Sequence, residues 1–286
     1  MHFATYRTST GEKVGVVQAD AVFALSDLVS DAPEDMIGVI KAGAELLAKV
    51  KAALPRQGVG IPLASVELLP PVPRPGKVLC LGLNYALHAK EGGNPIPDYP
   101  SLFIRLQSTL VAPNAPIIRP TVSEELDYEC ELTIVIGKTA HDVPEEQALD
   151  YVFGYTIMND VSVRDFQRKT TQWTAGKNFD GTGPLGPVIA TADSLPPGAR
   201  GLRISTRLNG TTMQDSDTSD MIFSVARTVS LLSQITTLEP GDVIATGTPS
   251  GVGYARKPPV WMKPGDVVEV EVEGIGVLRN PVAEAS

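Results

Sequence analysis

Four prolines fall within seven residues at Pro70-Pro71-Val72-Pro73-Arg74-Pro75-Gly76. A stretch so poor in backbone N–H donors and so restricted in φ can continue neither a helix nor a central strand, and it reads as an extended linker. It divides the chain into residues 1–70 and 71–286. In the first part, short β-like runs at 14–17 and 21–25 alternate with polar turns. Asp31-Ala32-Pro33 then opens a pattern in which Met36, Ile37, Ile40, Leu47 and Val50 recur at helix spacing up to Leu54. The second part is rich in strand patterns, the clearest at 78–83, 128–136, 154–158, 202–208, 242–246 and 267–272, separated by Gly/Pro/Asp turns. Helical patterns interrupt them at 144–152 and 221–235. The expected fold class is α+β, mainly β, with a small N-terminal β/helix domain (1–70) before a larger β-rich domain (71–286).

Charge excludes one class of partner. With 24 Lys and Arg against 33 Asp and Glu, the formal charge is −9, and no basic cluster is present to neutralise phosphates, so no nucleic acid is expected as partner. An acidic surface also repels anionic substrates, which would need local cations or a metal at their site. No apolar run approaches the length of a spanning helix and no signal-like h-region opens the chain, so no membrane is expected and a cytosolic location is. Cys80 and Cys130 both sit in apolar runs, where cysteine packs as a small hydrophobe, and no disulfide is expected.

The most informative run is Leu126-Asp127-Tyr128-Glu129-Cys130-Glu131-Leu132-Thr133-Ile134-Val135-Ile136. Side chains two apart on a strand share a face, so Glu129 and Glu131 point the same way while apolar residues back them. A bare Glu-x-Glu is most often a solvated strand edge. A third acid changes the balance: Phe153-Gly154-Tyr155-Thr156-Ile157-Met158-Asn159-Asp160 is an apolar strand ending in a carboxylate. Three carboxylates on rigid strands suit Mg²⁺ or Mn²⁺, whereas zinc is disfavoured by the lack of spaced Cys or His. Asp127 is either a spare ligand or a turn residue.

His88 and Glu91, three apart on a short helical pattern, can form the imidazole–carboxylate pair of a general base, although a surface ion pair has the same spacing. The irregular stretch 92–97 that follows suits a loop or a lid. Gly181-Thr182-Gly183-Pro184-Leu185-Gly186 matches G-x-G-x-x-G in letters, but its proline and its lack of a following helix argue against a dinucleotide site. The turn Thr246-Gly247-Thr248-Pro249-Ser250-Gly251-Val252-Gly253 is expected to line a pocket for an anion with its backbone N–H groups and the Thr248 hydroxyl. His2 and His141 have no supporting pattern.

Taken in order, Gly82-Leu83-Asn84-Tyr85 with His88 and Glu91, Asp127-Tyr128-Glu129-Cys130-Glu131-Leu132, Asn159-Asp160-Val161-Ser162-Val163-Arg164-Asp165-Phe166-Gln167, Gly176-Lys177-Asn178-Phe179-Asp180, and the run 241–253 resemble the fumarylacetoacetate hydrolase superfamily from Lys77 to the C-terminus. The resemblance implies a catalytic domain of rolled mixed β-sheets, commonly a homodimer, with Mg²⁺ or Mn²⁺ held by Glu129, Glu131 and Asp160. It further implies His88 and Glu91 as a water-activating pair, Lys177 as an oxyanion-stabilising lysine, and Arg164, Gln167 and Thr248 as substrate-binding residues. Arg105 stands where many members have lysine, and its planar fork suggests a distal substrate carboxylate as its partner. The reaction expected from these parts is hydrolysis of a carbon–carbon bond in an acylpyruvate, a small 2-oxo acid. Decarboxylation of an oxaloacetate-like acid and isomerisation of an unsaturated 2-oxo diacid are the alternatives on the same fold. A non-catalytic metal-stabilised binding domain is the alternative from another class.

Overall fold

The prolines at 70–76 run without regular structure, yet the chain on both sides of them enters one sheet. In the computed structural model, which describes residues 1–54 and 60–285, a 12-stranded mixed sheet carries the N-terminal strands His2–Thr8, Gly11–Gln18 and Ala21–Ala24 towards one end. At its other end lie Val78–Gly82 and Ser101–Ile104. The join is antiparallel pairing of His2–Thr8 with Gly183–Thr191, His2 opposite Ala190 and Phe3 opposite Ile189. Phe3, Val16, Met36 and Ile40 share one buried cluster with Val78, Val135, Phe153 and Val243. The division expected at residue 70 is therefore not a division of the core, because the N-terminal part extends the main sheet and buries its apolar side chains against it.

A second, five-stranded sheet runs Thr211–Asp217, Arg203–Leu208, Val267–Val272, Gly276–Glu284, Ile117–Arg119. Val267–Val272 alternates half-buried and buried residues along its length, the signature of a strand with one face inward. That face (Val268, Val270, Val272) packs with Leu132, Ile134, Ile136 and Ile157 of the large sheet. The central strands Cys130–Ile136 and Val152–Asn159 are buried along their entire length. Covering of both faces explains why their sequences are nearly continuous apolar runs. The fold is α+β and mainly β, with mixed sheets, as the sequence leads one to expect.

Local signals set the helices. Asp35 accepts from Gly38 N at 2.7 Å and so caps Met36–Ala53, which buries Met36, Val39, Ile40, Leu46 and Val50. Ser224 accepts from Arg227 N at 3.1 Å, so the helix expected at 221–235 starts only at Val225 and runs to Ile235. The segment expected as a helix at 144–152 is a tighter 3₁₀ turn, Glu145–Tyr151. Gly183–Thr191 is a strand despite its Gly and Pro content. Pro187 falls where its register with Val152–Asn159 shifts, a bulge position at which no ladder donor is needed.

Gly154 shows how tightly this centre is built. A Cβ there would lie 2.2 Å from Ala190 O and 2.9 Å from Ile189 Cγ2. Gly154→Ala is expected to destabilise the protein by about 1–3 kcal/mol through overpacking, read as a lower denaturant midpoint at unchanged m-value. An unchanged midpoint would contradict this packing.

Candidate active site

Strand register brings the three acids together. Cys130 pairs with Asn159 and Glu131 with Met158, which puts Glu129 opposite Asp160 where the two strands end. Asp160 N donates to Glu129 O at 2.9 Å, and Asn159 Oδ1 accepts from Glu129 N at 2.9 Å. Cross-strand partners share a face, so Glu129, Glu131 and Asp160 project to one side. One carboxylate oxygen from each lies within 4.8 Å of the others, and all three residues are buried.

These carboxylates stand in an unbalanced field. Burial alone would raise the Glu129 carboxyl, but the charges of Arg164, Lys177 and His88 outweigh it and hold the group well below the usual range. Glu131 has the opposite outcome: burial, then the neighbouring charges of Asp160 and Glu129, push it well above its ordinary value. Lys177 is buried yet held charged, since Asp160 and Glu129 raise it more than burial lowers it. Three buried carboxylates thus share too little positive charge for Glu131 to ionise readily. A divalent hard cation among these oxygens would supply what is missing, and the all-oxygen donor set suits Mg²⁺ or Mn²⁺.

All of the residues expected at the site except Glu91 and Arg105 line one cleft of about 380 Å³. His88 sits on the short helix Ala86–Glu91, and its Nδ1 lies 2.9 Å from Glu91 Oε1. An ionised carboxylate can only accept, which assigns the proton to Nδ1 and leaves Nε2 as the basic nitrogen. Glu91 is itself held by Gly251 N, which donates to its two oxygens at 3.1 and 3.0 Å.

The turn at 246–253 departs from expectation in an informative way. Its backbone donors do meet anions, but these are the protein's own: Gly247 N donates to Glu131 at 2.8 Å, Gly251 N to Glu91, and Gly253 N to Asp127 at 2.7 Å. The turn orients the site's carboxylates and leaves only the Thr248 side chain facing the cleft. Asp127 is accordingly no spare metal ligand. It accepts from Gly253 N, Tyr254 N and Arg164 Nε, the last at 2.8 Å.

Arg164 is buried between Asp127 and Glu129, 2.6 Å from the latter, and its guanidinium lies 4.5 Å from the centroid of the Tyr254 ring. Its Nη1 donates to Gln167 Oε1 at 2.9 Å, which leaves the Gln167 amide N–H groups as donors. Lys177 Nζ donates to Glu129 Oε2 at 2.6 Å, to Asp160 Oδ2 at 2.5 Å and to Asp160 O at 3.3 Å. The lysine expected to serve an oxyanion thus lies against the carboxylate cluster. Arg105 does not reach the cleft at all; it lies behind Asp160, whose Oδ1 accepts from its Nε at 2.9 Å. The distal substrate carboxylate expected for Arg105 has no access to it.

Two further residues carry the site without a local sequence signal. Asn84 is fully buried, donating to Thr246 O and Phe223 O and accepting from Phe223 N, so it ties the His88 segment to the strand end at 246. Gln214 accepts at Oε1 from Cys130 N (3.1 Å) and Thr206 Oγ1 (2.6 Å), which fixes its amide orientation. Its Nε2 must then donate to Thr248 Oγ1 at 2.8 Å. With its oxygen already accepting, the Thr248 hydroxyl is left to donate into the cleft. The opposite wall is aromatic, Phe103 against Trp173 at 5.8 Å between centroids. Gly82 is required there, since a Cβ would meet Trp173 at 2.0 Å.

Comparison with known proteins places this geometry among relatives. A family model described as fumarylacetoacetate (FAA) hydrolase C-terminal matches residues 77–283. The chain is 43% identical over 252 residues to a protein of Bos taurus named oxaloacetate tautomerase FAHD2A, mitochondrial, covering 87% of this chain and 80% of that one. The Homo sapiens protein of that name is 41% identical over 252 residues, with the same coverage. Among solved structures, a putative HpcE protein from Mycobacterium smegmatis superposes with a TM-score of 0.87 at 30% identity, covering 100% of both chains. Maleylpyruvate hydrolase from Sphingobium sp. SYK-6, in complex with manganese (II) ion and pyruvate, does so at 0.84 and 32% identity, also over 100% of both chains. Among the described residues, no helix is long and apolar enough to cross a membrane.

Proposed function

Because the chain belongs to the fumarylacetoacetate hydrolase family, we propose that it moves a proton at carbon 3 of a small 2-oxo dicarboxylic acid, interconverting the enol and keto forms of an oxaloacetate-like substrate. The observation that carries this reading is the His88–Glu91 pair in a small cleft shared with three buried carboxylates. Enolisation needs a base that can return its proton and a means of holding the charge that develops on the 2-oxo oxygen. Glu129, Glu131 and Asp160 would hold a divalent cation, which would supply the second as a Lewis acid.

The chain's own groups do the rest. Towards the enol, His88 Nε2 takes a proton from carbon 3 and delivers one to the 2-oxygen; towards the keto form it takes the 2-hydroxyl proton and delivers one to carbon 3, so the imidazole ends each turnover neutral. Glu91, fixed by Gly251 N, keeps the ring oriented and stabilises the imidazolium between the two steps. Thr248 and Gln167 each present an N–H or O–H to a substrate carboxylate, and Trp173 with Phe103 closes the far wall against water. Thr248→Val is expected to lower kcat/KM by roughly 10- to 100-fold, the range for a hydrogen bond to a charged group, while Thr248→Ser stays near the parent. Steady-state kinetics of both variants check this; equal losses would contradict a role carried by the hydroxyl alone.

Two observations favour proton transfer over the hydrolysis of an acylpyruvate. The Bos taurus and Homo sapiens relatives at 43% and 41% identity carry the tautomerase name. Lys177 Nζ donates to Glu129 and Asp160, which sets its charge against the carboxylate cluster. Hydrolysis is the second reading, supported by likeness to maleylpyruvate hydrolase, and in it His88 would take its proton from water. The deciding assay supplies Mg²⁺ or Mn²⁺ and follows ketonisation of enol-oxaloacetate beside pyruvate release from a panel of acylpyruvates. Faster ketonisation that a chelator abolishes is the expected result. Pyruvate release without any effect on ketonisation would replace this reading with the hydrolase.

A further inference from the structure

Arg105 follows the edge strand Ser101–Ile104 and turns inward, with its side chain removed from solvent. Its guanidinium meets four acceptors. Nε donates to Asp160 Oδ1 at 2.9 Å, Nη1 to Lys177 O at 2.6 Å, and Nη2 to Val161 O at 2.7 Å and Thr182 O at 3.0 Å. These acceptors come from three segments: the end of the strand Val152–Asn159, the short helix Thr174–Lys177, and the entry to the strand Gly183–Thr191. The first two segments carry the cleft residues Asp160 and Lys177, and without Arg105 three carbonyls and one carboxylate oxygen would lie buried without this partner.

We propose that Arg105 is a positioning residue, whose planar fork fixes Asp160 and Lys177 relative to each other and commits Asp160 to presenting a single oxygen, Oδ2, to the cation site. Oδ1 is taken by the guanidinium, while Oδ2 accepts from Lys177 Nζ at 2.5 Å, which also donates to Glu129 Oε2. The guanidinium donors all lie in one plane, so satisfying acceptors on three segments at once also fixes those segments in angle. Lysine has the same charge on a single atom and could serve Asp160 or a carbonyl, but not all four acceptors together. The inference rests on Glu129, Glu131 and Asp160 being a divalent-cation site.

The test compares parent, Arg105→Lys and Arg105→Ala in Mn²⁺ titration calorimetry, thermal melting and steady-state kinetics. Arg105→Lys keeps the charge and loses the fork. It is expected to weaken Mn²⁺ binding by roughly 10- to 100-fold, as loss of an outer partner of a metal ligand does, with a comparable fall in kcat and little change in KM. Arg105→Ala is expected to lose more and to regain Mn²⁺ binding in proportion to added ethylguanidinium, which carries the test if Arg105→Lys does not fold. A folded Arg105→Lys with parental Mn²⁺ affinity and kcat overturns the positioning role. So does a rise in KM for 2-oxo diacids alone, which would make Arg105 a substrate ligand, or a folded Arg105→Ala that ethylguanidinium leaves unchanged. A parent that binds no Mn²⁺ overturns the cation site and this inference with it. A parent that binds Mn²⁺ but leaves 2-oxo diacids untouched counts against the proposed reaction only, and the Mn²⁺ comparison still decides the role of Arg105.

Discussion

Glu131→Gln is expected to abolish Mn²⁺ binding and at the same time to raise the melting temperature of the metal-free protein at pH 7. The two effects have one cause. Glu131 is buried beside Asp160 and Glu129, and its carboxyl is pushed well above its ordinary value by burial and by those charges. A group whose folded pKa is raised above its unfolded one destabilises the protein at pH values above the unfolded pKa, and the penalty vanishes below it. Glutamine keeps the shape and an oxygen to accept from Gly247 N, but carries no charge to bury. The gain in melting temperature should therefore be present at pH 7 and shrink towards pH 4, near the ordinary glutamate pKa of about 4.3. Saturating Mn²⁺ should reverse the order of the two proteins, since a ligand at about 100 times its Kd stabilises the parent by about 2.7 kcal/mol and finds no complete site in the variant. Melting curves with and without Mn²⁺ at both pH values measure all of this. A variant that is less stable than the parent at pH 7 without metal would contradict the electrostatic reading, and an unchanged Mn²⁺ affinity would remove Glu131 from the site.

His88→Ala is expected to lower kcat by about 10²- to 10⁴-fold, the usual contribution of a general base, without weakening Mn²⁺ binding. The ring stands outside the carboxylate cluster and touches it only through its charge. Glu91→Gln should give a smaller loss, because the amide can still accept from Gly251 N and Nδ1 yet cannot offset the charge of an imidazolium. Kinetics and calorimetry on the same preparations separate the two functions. Loss of Mn²⁺ affinity in His88→Ala would make the histidine a metal ligand in place of a base.

The cluster of three acids was legible because it depends on the shortest-range rule of a sheet, that residues two apart share a face, applied to two apolar runs. Glu129, Glu131 and Asp160 needed only the pairing of neighbouring strands to meet. His88 and Glu91 likewise meet through one helical turn. Contacts between distant segments were not legible. Pairing of His2–Thr8 with Gly183–Thr191 joins positions roughly two-thirds of the chain length apart, and the Gly/Pro-rich sequence of the second strand reads locally as turns. The same holds for Gln214, whose partners Cys130, Thr206 and Thr248 come from three other elements. Arg105 lies between these cases. Its side chain was assigned to a substrate by its chemistry alone, although alternation along Ser101–Ile104 puts it on the inward side with Phe103, while Leu102 and Ile104 face out. The turn at 246–253 was expected to line a pocket for an anionic group with its N–H groups; those donors meet Glu91, Asp127 and Glu131 instead, which nothing local showed.

Deuterium incorporation at carbon 3 of oxaloacetate, followed by NMR in D₂O with Mg²⁺, tests most directly the claim that His88 moves a proton at that carbon beside a cation held by the three carboxylates. The account predicts exchange well above the uncatalysed rate for the parent, falling to the uncatalysed rate in His88→Ala, in Glu131→Gln and in the presence of a chelator. Exchange at the uncatalysed rate with the metal-loaded parent, or exchange that survives in His88→Ala, would contradict it.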